Sequence, residues 1–215
     1  MYRTTILKPR TIAMTSIYDI KPAFQNLLRP LCGKLAALGI TANQVTVAAL
    51  LLSLLTGAGL AFFHAQPWVF LLIPVVLFVR MALNAIDGML AREHNMKSAL
   101  GAILNELCDV IADVALYLPF ALLPSVWSWL VVLVVIVAIV TEMTGVIAVQ
   151  IGASRRYDGP MGKSDRAFVF GAVALLLGTG VETGMWLNGL LVVVLVLTVY
   201  TVFNRARHAL AEIAV

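Results

Sequence analysis

The chain has 215 residues, of which 61% are hydrophobic and 12% charged, with a formal net charge of +4. A soluble domain carries about 25% charged residues, so this composition excludes an ordinary soluble enzyme and predicts an integral membrane protein. The sequence has no nucleic-acid-binding signature, no Ser-His-Asp set and no haem ligand pair. Cys32 and Cys108 stand 76 positions apart without ligand-like spacing and read as free thiols.

The first sixteen residues, MYRTTILKPRTIAMTS, are polar and basic and lack the compact apolar core of a signal peptide. Met14 offers an alternative start. Next comes IYDIKPAFQNLLRPLCGKLAALGI, where Ile17, Ile20, Phe24, Leu27, Leu28, Leu31, Leu35 and Leu38 recur at three- and four-residue steps. Asp19, Lys21, Gln25, Arg29 and Lys34 fall mostly elsewhere around the wheel. This pattern predicts an amphipathic helix lying on the membrane surface, with Pro22 in its first turn and Pro30 at a kink. Residues 1–40 thus form a juxtamembrane segment ahead of a transmembrane domain over residues 41–215. Thr41 and Gln44 have capping-box spacing at its start. Asn43 and Thr46 read equally well as first-turn polarity and as substrate contacts.

A membrane-spanning helix needs about 20 mainly apolar residues. Six stretches qualify, at roughly 43–63, 67–90, 99–122, 126–150, 167–181 and 185–204, giving an all-α fold of six transmembrane helices. The fifth is short and can begin as early as Asp165. Arg92, Lys97, Arg155, Arg156, Lys163 and Arg166 crowd into two loops on one side, and more Lys and Arg flank both ends of the chain. The loops of the opposite side, HAQP, LLPS and GTGVETG, contain none. By the positive-inside rule, both termini and the charged loops are expected in the cytoplasm.

Polar residues inside the apolar runs follow helical spacing. Arg80, Asn84 and Asp87 share one face of the second span, and Gly101, Asn105, Asp109 and Asp113 share a drifting face of the third. Asn84 lies eight residues from Arg92, ~12 Å deep at ~1.5 Å per residue. Charge at that depth is costly and usually has a partner or a function. Asp87, Glu106, Asp109, Asp113 and Glu142 outnumber the single obvious buried cation, Arg80, so the excess predicts a bound cation. All-oxygen ligands suit Mg²⁺, Mn²⁺ or Ca²⁺. An Arg80–Asp113 salt bridge is the structural reading of that pair. The second basic loop, SRRYDGPMGKSDR, is not a Walker A loop. It reads either as a positive-inside signal or as an anion pocket, with Lys163 at a helix start.

The run DGMLAR, eight residues, Gly101, three residues, Asn105, three residues and Asp109 resembles the signature of the CDP-alcohol phosphatidyltransferase family, D-x2-D-G-x2-A-R-x8-G-x3-D-x3-D. Its spacing is matched at every step, and a small bacterial YnbA-like subgroup is the most similar. The resemblance implies transfer of a substituted phosphate from a CDP-linked lipid donor to an alcohol, with release of CMP, at the inner membrane of a bacterium. It implies Asp109 as general base, and Asp87, Asp109, Asn84 and Asn105 around one or two Mg²⁺ or Mn²⁺ ions. Asp87, Gly88, Ala91, Arg92 and Gly101 would line the nucleotide site. Lys163, with Arg155, Arg156 and Arg166 as weaker candidates, would hold an acceptor or phosphate. Partners would be the donor, the alcohol and membrane lipids; a homodimer stays open, and no nucleic acid is expected.

Asn84 and Asn105 stand where the signature has aspartates, which halves the charge of the cation site. Glu106, Asp113 or Glu142 is then expected to supply the missing charge, or a single ion is held. The same two residues leave room for a weakened lipid or nucleotide binder. A transporter is disfavoured, because the polar positions crowd one side of the membrane. A phosphorylated acceptor such as glycerol 3-phosphate fits the basic loop; a neutral alcohol or polar lipid stays open.

Overall fold

The computed structural model describes residues 17–214, with side-chain surroundings from Pro22 onward. The segment before Ile17, with Met14, lies outside the described residues, as do the side chains of Ile17, Asp19, Ile20 and Lys21. Among the described residues all regular structure is helical.

Helix α1 (Ile17–Ala37) runs through both prolines. Pro22 therefore sits in its second turn rather than its first, because the helix begins five residues earlier. Leu27, Leu31 and Leu38 are exposed, whereas Cys32 is fully buried. Helix α2 (Ala42–Phe63) opens on the expected capping box: the Gln44 amide donates to Thr41 Oγ1 at 3.3 Å, and the Thr41 amide donates to Gln44 Oε1 at 2.9 Å. Its buried positions, Ala42, Val45, Thr46, Ala49, Ser53, Gly57 and Leu60, trace one face.

A 3-10 turn (Pro67–Leu71) leads into α3 (Leu72–Glu93), and α4 (Ala99–Tyr117) ends in another (Leu118–Leu122). Helices α5 (Ser128–Gln150), α6 (Lys163–Gly178) and α7 (Met185–Ile213) complete the bundle. All six expected spans are helices. Among the described residues four helical stretches are long and apolar enough to cross a membrane: Ala42–Phe63, Pro67–Glu93, Ser128–Gln150 and Met185–Ile213. The other two differ for evident reasons. Helix α4 carries Asn105, Glu106, Asp109 and Asp113. The 16 residues of α6 reach only ~24 Å, short of the ~30 Å hydrocarbon layer. Lys163 begins α6, two residues before the earliest start the sequence allowed.

Helix α2 packs on α3 and α4, α5 on α7, and α6 on α3. Near the end without basic loops the core is aromatic. The Tyr117 and Phe170 rings stack with centroids 4.2 Å apart, and Phe120 meets Phe170 edge-on at 5.2 Å. Asn188, fully buried, ties the turn before α5 to α7 by accepting from the Trp127 amide and donating to the Ser125 carbonyl, both at 2.8 Å. The perimeter exposes Phe62, Phe78, Phe168 and Phe203, an apolar belt that water would penalise.

Toward the basic end, α2 and α4 part. At Gly57 they touch, and a Cβ there would collide with the Ala115 carbonyl. Helix α1 straps the outside of α3: Phe24 meets Phe78 edge-on at 6.1 Å, and Arg29 makes a two-pronged bridge to Glu93 at 3.0 and 3.1 Å. The space so framed, between α2, α3 and α4 at the basic end, holds the polar residues.

Candidate active site

The α3–α4 hairpin builds the site. Asn95, in the loop, takes a left-handed conformation (φ 56°) that reverses the chain. Ser98 then caps α4 by accepting from the Gly101 amide at 2.9 Å. With both helices started in register, the polar faces meet. Asn84 donates to Asp109 Oδ1 at 3.1 Å. Arg80 donates to Asp113 Oδ1 at 2.6 Å, the pair expected from spacing, and to the Asp109 carbonyl at 2.9 Å. Lys163 reaches Asp109 Oδ2 at 2.5 Å. Asp87 is buried and accepts from the Thr46 hydroxyl at 2.8 Å.

Three cavities meet at these residues. The largest, about 770 Å³, opens between α2, α3 and α4 and is lined by Asp87, Gly88, Ala91, Arg92, Gly101 and Asn105. That set contains every residue expected at the nucleotide, and Asn43, Thr46, Lys97 and Ser98 join it. Asn43 and Thr46 therefore face the cleft rather than serving as caps. A Cβ at Gly101 would lie 2.8 Å from Asn43 Oδ1, and one at Gly88 3.1 Å from the Arg92 guanidinium, so both glycines keep the cleft open. The second cavity, about 220 Å³, lies beneath the loop between α5 and α6 and is bordered by Asn105, Glu106, Asp109, Arg155, Tyr157 and Lys163. The third, about 460 Å³, runs between α3 and α6: Arg80, Asn84 and Lys163 form its polar end, and Leu77, Phe78, Met81 and Phe168 its apolar walls.

The basic loop is organised differently from expectation. Arg155 bridges Glu106 with two bonds, 2.7 and 2.9 Å, touches Glu142 at 3.4 Å, and lies over the Tyr157 ring. Arg156 turns to Asp158 and Glu212 at 2.9 and 2.8 Å, away from the cavity. Arg166 has no exposed surface; it donates to the Met161 carbonyl at 3.0 Å and to Glu142 at 2.9 Å, with Asp113 at 3.6 Å. Arg156 and Arg166 thus serve the scaffold, because carboxylates of α4, α5 and α7 already claim them. Arg205, which the sequence offered only as a flanking charge, is 1% exposed and joins Glu142 at 3.3 Å and the Thr141 carbonyl at 2.7 Å.

These arginines also settle where the other acids point. Glu106, Asp113 and Glu142 each face at least one guanidinium. Asp109 likewise meets Lys163 and Arg80, whereas Asp87 accepts from the Thr46 hydroxyl and has no salt-bridge partner among the described residues. Among the described residues no three His, Cys, Asp or Glu side chains converge as a ready-made metal cage. In the loop, partial burial alone would raise the Asp158 pKa. Hydrogen bonds from its own backbone, His208 and Arg156 outweigh that and hold it below the usual carboxylate value.

Residues 39–204 match the family model described as CDP-alcohol phosphatidyltransferase. The chain is 51% identical to the inner membrane protein YnbA of Escherichia coli, over 91% of this chain and 96% of that one. It is 33% identical to the archaetidylinositol phosphate synthase of Pyrococcus horikoshii, over 48% of this chain and 52% of that protein. The fold is that of the Mycobacterium tuberculosis phosphatidylinositol phosphate synthase PgsA1, solved with manganese and citrate, at a TM-score of 0.68 and 20% identity, covering 84% of this chain and 87% of that one. Signature spacing, helical framework and the match over most of its length agree: this chain belongs to the CDP-alcohol phosphatidyltransferase family.

Proposed function

We propose that the chain transfers a phosphatidyl group from a CDP-linked lipid such as CDP-diacylglycerol to an alcohol, releasing CMP. The observation that carries this reading is the meeting of three cavities of different chemistry around Asn84, Asn105, Asp109 and Lys163. The glycine-lined cleft suits the nucleotide. The groove between α3 and α6, polar at one end and walled by exposed Phe78 and Phe168, suits the lipid of the same donor. The remaining cavity is left for the acceptor.

Asp109 borders the acceptor cavity and is the general base. Lys163 and Asn84, bonded to its two oxygens, hold it in place. The acceptor oxygen bonds to the phosphorus remote from cytidine as its proton passes to Asp109; the bond from that phosphorus to the CMP oxygen breaks. Asp87, fixed by Thr46, stands at the nucleotide side.

The donor set fits a divalent ion of the hard class. Asp87 has one oxygen without a side-chain donor, and Asn84 and Asn105 offer neutral amide oxygens, which such ions accept. With a charge of −2 the set suits one Mg²⁺ or Mn²⁺ ion. When bound, that ion neutralises charge on the diphosphate.

In this reading the six helices α2 to α7 cross the bacterial inner membrane, α1 lies at its surface, and both termini and the site face the cytoplasm. The one-sided basic loops and the exposed apolar belt support that placement. The two asparagines favour a second reading, a binder that retains the nucleotide without turnover. Purified protein with CDP-diacylglycerol, Mn²⁺ and an alcohol panel separates the two. CMP release that Asp87→Asn abolishes is expected; nucleotide binding with no CMP release from any alcohol would leave only the binder.

A further inference from the structure

The acceptor cavity carries five carboxylates, Glu106, Asp109, Asp113, Glu142 and Asp165, and three cations, Arg155, Lys163 and Arg205. Arg80 and Arg166 stand immediately behind Asp113. Five negative charges thus meet five positive ones, and the protein's own set is neutral; the divalent ion of the reading above is offset by the two charges of the donor diphosphate it would hold. Every cation of the set is also paired. Each of Lys163, Arg155 and Arg205 has a carboxylate oxygen at 3.3 Å or less. Asp165 accepts from the Gly162 amide at 2.9 Å and caps α6, so negative charge already occupies this helix N-terminus.

We propose that the acceptor is an uncharged polyhydroxy alcohol and not a phosphomonoester. This inference rests on the transferase reading above. A phosphate brought into the cavity carries up to two negative charges into a neutral, half-buried set. It could gain a cation only by drawing Lys163, Arg155 or Arg205 off Asp109, Glu106 or Glu142, which weakens a set of ion pairs in a half-buried site and is unfavourable. A hydroxyl needs no such exchange. A carboxylate accepts about four hydrogen bonds and a guanidinium donates five, so groups already paired with one another retain capacity for neutral hydroxyls. The charge of Lys163 and Arg155, which in the sequence alone resembles an anion pocket, is spent on the protein's own acids.

The discriminating pair is Arg155 and Glu106, because Glu106 is partly exposed and its loss leaves the helix intact. Two measurements test the proposal. In the first, CMP release from CDP-diacylglycerol is followed with matched acceptors: glycerol against glycerol 3-phosphate, inositol against inositol 1-phosphate, and serine and ethanolamine as amino alcohols. A preference of at least tenfold in kcat/KM for the uncharged member of each matched pair is expected. A preference for a phosphorylated acceptor or an amino alcohol would overturn the proposal.

In the second, glycerol 3-phosphate is titrated calorimetrically into protein whose nucleotide cleft is saturated with CMP. The parent should give no saturable binding at millimolar concentration, whereas Glu106→Gln, which releases Arg155, should bind it at least tenfold more tightly. Tight binding to the parent, or no gain in the variant, would also overturn the proposal. Silence with every acceptor in the first measurement would defeat the transferase reading, while the titration would still decide the charge preference of the cavity.

Discussion

Asp109 and Asp113 lie one turn apart on α4, at the same polar face, yet they live in different worlds. Asp113 is 6% exposed and held between Arg80 and Arg166 at 2.6 and 3.6 Å. Asp109 borders an open cavity, and its oxygens meet a lysine and an amide as well as the edge of Arg80. A guanidinium fork clamps a carboxylate in one geometry. A lysine on a flexible stem and a neutral amide orient it while leaving it reachable. The position of a carboxylate along the helix therefore says less about its role than the identity of the cation opposite it.

Substitutions that remove one side of this comparison sharpen it. Asp109→Asn is expected to lower CMP release by roughly 10²- to 10⁴-fold, the usual contribution of a general base, with thermal stability close to that of the parent. A variant that kept its rate would move the base elsewhere. Arg166→Met should do the reverse. It strips a partner from both Asp113 and Glu142, and breaking such a buried set costs about 3–5 kcal/mol. Denaturation in mixed micelles should register that loss; an unchanged midpoint would mean that water or a neighbouring arginine replaces the guanidinium.

The smallest expected effect concerns the loop outside the bundle. Because the folded Asp158 pKa is lowered, its contribution is full above the unfolded carboxylate pKa near 3.9, and it is lost as pH falls through the folded value. The group is partly solvated at the edge of the bundle, so the loss should stay near or below ~1 kcal/mol. It should show as faster hydrogen exchange in residues 152–162 below about pH 4, with Asp158→Asn exchanging fast already at neutral pH. Equal protection in the two proteins would deny the ion pairs any part in ordering the loop.

What could be read from the sequence was what repeats along one helix. Apolar runs placed six helices, the Thr41–Gln44 spacing gave a real cap, and four-residue steps brought Arg80 to Asp113 and Asn84 to Asp109. The apolar pattern starts at Ile17, as α1 does, and that start puts Pro22 in the second turn rather than the first. The fates of Arg155, Arg156, Arg166 and Arg205 were not legible. Their partners lie on other helices, tens of residues away, and no local period records which of several acids an arginine will meet. Asn43 was ambiguous for the same reason: its neighbour Gly101 comes from α4, across the cleft.

The contact between Gly57 and Ala115 gives the cleft a mechanical character. Gly57 is fourteen residues from Asn43 along α2, a lever arm of ~21 Å at the helical rise. The glycine is the fulcrum, since it lets two backbones touch where any side chain would wedge them apart. A tilt of ~5° about that point moves Asn43 by ~2 Å on the same arm, a distance comparable to the gap between making and losing a hydrogen bond. The approach of α2 to α4 thus depends on an atom that residue 57 does not have.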